Sequence, residues 1–195
     1  MEGIAEKKKE KRSKLFNAAY ELFASKGINN TVIDDIVKKA GVAKGTFYLY
    51  FKDKYDLVDK MILQKSTALI KEAIRAVKQK QAEESLNFED SVIFFIDYLL
   101  EYFSKNIDLL TVIRKNLSLG LNFTLNQDGE VQEVVRDFTD NLIRRGSTLE
   151  QAQQTLYIII EMVGSVCCDA IVSKEPYALE EIKPTLYLLV RKLLK

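Results

Sequence analysis

AGVAKGTFYLYFKDK, residues 40–54, is the stretch whose reading decides the fold. Four aromatic rings, Phe47, Tyr48, Tyr50 and Phe51, crowd into five positions just after the pair Gly41 and Gly45. A short helix has one inward stripe. Phe47 and Phe51, one turn apart, are therefore expected to enter a core, and Tyr48 and Tyr50 to turn toward solvent or a partner. Immediately upstream, Thr31 stands where an N-cap belongs, with Asp34 three positions on to complete a capping box. Ile33, Ile36, Val37 and Ala40 then face inward, and Gly41 ends the helix where a left-handed residue lets the chain reverse. Further back, Leu15, Ala18, Ala19, Leu22 and Phe23 recur at helical spacing until Gly27 stops them. Two short helices joined by a glycine-containing turn have the form of a helix-turn-helix, whose second helix enters the major groove of DNA.

Downstream, a long helix is expected from Lys54 to about Lys80, with residues 78–84 as its frayed end or a connection. Five more helices follow at about 88–104, 107–120, 129–145, 148–173 and 178–194, with Gly146, the Ser147/Thr148 cap and Pro176 as the clearest boundaries. Only two prolines and eight glycines interrupt 195 residues, which favours helices over a many-turned β fold. The expected architecture is all-α, about nine helices: a three-helix domain over residues 1–52, joined by the long helix to a larger helical domain over residues 53–195. At 47% hydrophobic and 29% charged, the chain has the composition of an ordinary globular protein.

Net charge is only +1, yet residues 1–60 hold 13 Lys and Arg against 9 Asp and Glu. The positive excess sits at the end that carries the motif, as phosphate contact would require. With no histidine and no spaced cysteine cluster, the usual zinc sites and histidine catalysis are excluded, and neither metal nor cofactor is expected. No Gly-rich phosphate loop and no nucleophile with a base beside it are present, so an enzyme is not expected. Cys167 and Cys168 are adjacent on a helix and unsuited to a disulfide framework. A charged N-terminus and an apolar run broken by Glu161 and Asp169 point to no membrane partner and to the cytoplasm.

The stretch from Thr31 to Leu57 strongly resembles the N-terminal domain of the tetracycline-repressor (TetR) family of bacterial regulators, nearly position by position over residues 40–54. The resemblance implies a ligand-responsive transcriptional regulator, most often a repressor, that binds a palindromic double-stranded DNA operator as a homodimer and is released by a small-molecule effector. It also assigns roles. Lys44 and Gly45 would open the recognition helix, with Thr46, Tyr48, Leu49 and Tyr50 along it. Thr31 would offer a hydroxyl and a helix N-terminus to a phosphate, and Lys54 would touch the DNA backbone. Val32 stands where the family often has a second threonine, so one usual phosphate hydroxyl is absent. The basic run Lys7 to Lys14 is either an additional arm on DNA or a solvated helix start.

In the second domain the resemblance implies a dimer surface on the last two helices. Leu156, Ile160, Val163 and Cys167 form one candidate stripe, and Leu186, Leu189 and Leu193 another. An effector pocket is expected among Phe94, Tyr98, Tyr102, Leu117, Phe123, Phe138 and Tyr157, with Glu161 as its polar group. Two other readings stay open on the sequence: a helical interaction module that binds no DNA, and an activator on the same fold.

Overall fold

A computed structural model describes residues 2–113 and 128–195, which form helices joined by short turns, with no strand among them. Nine α-helices appear among them: α1 (Glu2–Lys26), α2 (Ile33–Ala40), α3 (Lys44–Tyr48), α4 (Lys54–Glu83), α5 (Phe88–Lys105), α6 (Ile107–Ile113), α7 (Gly129–Arg144), α8 (Leu149–Cys168) and α9 (Leu179–Leu193). A single π-helical turn, Asp169–Ser173, continues α8. The all-α architecture is as expected. Leu117 and Phe123, assigned above to the pocket, lie outside the described residues.

Local rules account for most boundaries. Gly41 adopts φ 66°, and the Val42 and Gly41 amides donate back to the carbonyls of Val37 (3.0 Å) and Lys38 (3.3 Å), a Schellman-type stop. Thr148 caps α8 reciprocally with Gln151, at 3.1 and 2.8 Å. One expectation is corrected. Thr31 is not the cap of α2, because its hydroxyl donates backward to the Gly27 carbonyl at 2.8 Å and closes the α1–α2 turn. Val32 takes the cap position, and it is the Asp35 carboxylate, rather than that of Asp34, that accepts the amide there.

One contiguous apolar cluster runs from Leu15 and Phe23 on α1 through Phe47 and Phe51 to Leu57, Leu100, Val163 and Val190. Helix α5 has two working faces. Asp90, Asp97 and Glu101, spaced to share one side, pair with Arg191 (2.7 Å) and Lys183 (3.0 and 2.9 Å) on α9. Its other side packs on α4 and α8. Lys183 is largely buried, and its ammonium stays above the ordinary lysine range because two carboxylates outweigh the desolvation that opposes them.

Candidate nucleic-acid interface and ligand cavity

Helix α3 is held by its two buried rings. Phe47 and Phe51 pack 5.4 Å apart, and Phe51 meets Phe16 of α1 edge-on at 5.3 Å. That anchorage turns the other side of the helix outward: Lys44 and Gly45 are exposed, Tyr48 is 53% exposed and Leu49 79%. Val32, 55% exposed at the start of α2, borders the same surface. Leaving Val32, Tyr48 and Leu49 in water forgoes the burial energy of three large side chains, so the surface is poorly explained by the free chain's own stability. A Cβ at Gly45 would meet nothing within 4 Å, and its φ is not positive. Nothing inside the chain therefore requires glycine there.

A shallow groove between α2, α3 and the start of α4 gathers Val32, Asp34, Lys44, Tyr48, Lys54 and Tyr55. Lys44 pairs with Asp34 at 2.7 Å, and the carboxylate raises the ammonium's pKa through that hydrogen bond and its charge. Thr46 and Tyr50 are half-buried, and the Tyr50 ring leans on the core. Two assignments need correction. Thr31 is wholly buried, so its hydroxyl cannot reach a phosphate in this conformation. Lys54 donates to the carbonyls of Ile28 (2.7 Å), Thr31 (2.9 Å) and Asn29 (3.3 Å), which occupies all three of its protons. In the free chain Lys54 is a strut between α4 and the α1–α2 turn.

Lys54→Met should therefore act on stability. Charge-assisted hydrogen bonds of this kind are worth enough that chemical denaturation is expected to show a loss of about 2 kcal/mol. An unchanged midpoint would deny the strut.

The start of α4 is tied to the turn that follows α3 as well. Asp53 caps α4 by accepting from the amides of Tyr55 (2.8 Å) and Asp56 (2.9 Å). Lys60 then donates to the Tyr50 carbonyl at 3.1 Å, and the Lys52 amide to Asp56 at 2.8 Å. The helix-turn-helix is thus bolted to the first two turns of α4.

Farther along α4 lies a cavity of about 550 Å³ enclosed by α4, α5, α7 and α8. Its wall is almost entirely apolar, with Leu69, Ile70, Phe95, Leu100, Val131 and Ile159 among the lining residues. Lys78, Gln81, Asn87, Asp137 and Arg144, all exposed, mark its mouth. Of the pocket residues expected from sequence, Phe138 lines this cavity; Phe94, Tyr98, Tyr102, Tyr157 and Glu161 do not. The reason is phasing. Residues 92–96 of α5 are all apolar, and packing against α4 selected the stripe of Val92, Phe95, Ile96 and Leu99 over that of Phe94, Tyr98 and Tyr102. Tyr98 points toward Glu72 instead, where burial first and that carboxylate second hold its phenol above the usual range.

The candidate dimer stripe on α8 is likewise redirected. Leu156, Ile160, Val163 and Cys167 all line the cavity, and burial pushes the Cys167 thiol up to about 12, leaving it neutral. Leu186 is buried in the core, whereas Leu189 and Leu193 are exposed. The outward large apolar side chains of α8 are Leu149, Tyr157 and Ile158. With its π turn, α8 is long and apolar enough to cross a membrane by length and composition alone, yet here it packs against α5, α7 and α9.

Residues 15–61, which hold α1 to the first turns of α4, match the tetR family of bacterial regulatory proteins. The family match covers this helix-turn-helix region alone. Curated proteins similar to the chain are named as helix-turn-helix transcriptional regulators. It is 52% identical over 48 residues to YvdT of Bacillus subtilis, an uncharacterised helix-turn-helix regulator, a match that spans only 25% of either chain. The fatty acid metabolism regulator protein of the same organism is 29% identical over 164 residues, 79% of this chain and 81% of that one. FadR from Bacillus subtilis, solved in complex with stearoyl-CoA, shares the fold with a TM-score of 0.64 at 19% identity, over 91% of this chain and 96% of its own.

Tyr55 is a groove residue that sequence reasoning missed, although Leu57, Val58 and Met61 set the inward stripe of α4 and leave position 55 outside. Asp34 is another. It competes for Lys44 and places a negative charge beside the surface that would meet phosphates, so Asp34→Asn is expected to tighten DNA binding by up to about fivefold, the range of an exposed ion pair. Fluorescence anisotropy at two salt concentrations would check this; weaker binding by the variant would contradict it.

Proposed function

We propose that this protein is a TetR-family regulator that represses transcription by binding a palindromic operator as a homodimer and lets go when an elongated acyl effector fills the cavity. The observation that carries the DNA half is the outward face of α3: Lys44, Gly45, Tyr48 and Leu49 stand exposed on a helix whose buried rings fix its orientation. Lysine and tyrosine can bond phosphates and base edges there, and Gly45 lets the backbone approach closely. Residues 1–52 form the reading unit in this account. Tyr157 and Ile158 on α8, with Leu188, Leu189 and Leu193 on α9, supply an apolar patch for a second copy. Pairing places two recognition helices on half-sites one helical turn, about 34–36 Å, or a multiple apart.

The effector half rests on the cavity's apolar wall, on Lys78 and Arg144 at a mouth that also holds Asp137, and on the fatty acid metabolism regulator and stearoyl-CoA complex among the similar proteins. An acyl chain would occupy the interior while Lys78 and Arg144 face an anionic head group. Helix α4 couples the two sites, since Ser66 to Gln81 line the cavity and Asp53, Lys54 and Lys60 hold the helix-turn-helix. A ligand that prefers one tilt of α4 changes the spacing of the two recognition helices, and DNA affinity falls by the difference in binding free energy between the two states.

Titrating DNA from just upstream of the coding region in a gel-shift assay, with and without stearoyl-CoA, tests both halves. Retardation abolished by the thioester is the expected outcome. Retardation indifferent to it removes the acyl effector, and no retardation at low salt removes the DNA-binding reading.

A further inference from the structure

Ser66 is the one buried side-chain oxygen or nitrogen among the described residues that lacks a hydrogen-bond partner. It is 3% exposed and lines the cavity. A serine within a helix usually donates to the carbonyl one turn back, which satisfies it locally. Here it does not, so the hydroxyl remains unsatisfied on a residue that borders the apolar cavity.

Its place in the cavity matters. The lined stretch of α4 runs from Ser66 to Gln81, about 22 Å along the axis at 1.5 Å per residue. Helices α4 and α5 fold back on each other through residues 84–87, pinned by Gln81 donating to Ser91 at 2.9 Å. The exposed Lys78, Gln81 and Asn87 belong to that end, so Ser66 lies at the opposite, enclosed end with Phe103. A bulky anionic head group stays at the mouth. Only the far end of an elongated ligand reaches Ser66.

We propose that Ser66 reads the distal end of the effector, and that the effector is an acyl chain carrying a hydrogen-bonding oxygen there, a hydroxyl or carbonyl, in place of a plain methyl terminus. The inference deepens the proposed function and rests on the cavity being the effector site. A methyl group seated against Ser66 displaces any water and leaves the hydroxyl without a partner, whereas an oxygen completes its bonding. Discrimination of about tenfold corresponds to one such neutral hydrogen bond.

Calorimetric titration of palmitoyl-CoA and ω-hydroxypalmitoyl-CoA into the full-length protein and into Ser66→Ala tests this. Alanine suits a helix and removes an unsatisfied group, so the variant is expected to fold with a raised melting midpoint. The wild type is expected to bind the hydroxylated thioester about tenfold more tightly, and Ser66→Ala to lose that preference, chiefly by binding the plain chain better. Equal binding of both thioesters by both proteins overturns the role of Ser66 and leaves the acyl-effector reading intact. Binding of neither thioester by the wild type overturns both.

Discussion

Replacing Lys44 and Tyr48 together with alanine is expected to weaken operator binding by at least about a hundredfold, since contacts of this kind are each worth ~1–3 kcal/mol. Stability should barely move. Both side chains are exposed, Lys44 meets only the equally exposed Asp34, and surface changes of this sort stay within about 0.5 kcal/mol. Gly45→Ala sharpens the separation of stability from function. Its added methyl has open space within the chain and should favour the helix by about 1 kcal/mol, while standing in the path of an approaching duplex. A more stable protein that binds DNA less well is the expected pairing for Gly45→Ala. Unchanged DNA affinity in either variant, measured by anisotropy, would remove α3 from the interface.

Charging the outer apolar patch should have a comparable effect by another route. Ile158→Asp with Leu189→Asp places two carboxylates on helices whose inner sides hold the cavity wall and the core, so each protomer should still fold. Burying them against a second copy would be costly, and sedimentation should report a monomer. Losing the partner removes the high effective concentration of the second reading head, and operator affinity should drop by about a hundredfold or more. A double variant that still sediments as a dimer would move the interface elsewhere.

The parts of this fold that were legible in the sequence are those governed by local rules. Gly41 and Thr148 stop and start their helices through bonds to residues three to five positions away, and Phe47 and Phe51 fall inward because one turn separates them. Thr31 misled for the opposite reason: its hydroxyl bonds backward across the turn to Gly27, and this shifted the cap by one residue. Phasing failed where helices are apolar nearly all round. Ile158, Ile159 and Ile160 are consecutive, and only packing decided that Ile159 and Ile160 face the cavity and Ile158 the outside. The triple bond pattern of Lys54 depends on residues more than twenty positions away and left no local trace. Ser66 was findable. It shares the stripe of Ile62, Leu69 and Ala73, and a hydroxyl at an inward position is a signal of its own.

The claim on which this account turns is that α3 and the head of α2 form a surface shaped for a duplex. Amide hydrogen exchange on the full chain, with and without random-sequence duplex DNA at low salt, tests it without knowledge of the operator, because phosphate contacts do not depend on sequence. The expected result is slowed exchange around Val32 and across residues 44–49, with α5, α7 and α8 unaffected. Exchange there that is indifferent to DNA, while protection gathers on the cavity helices, would contradict it.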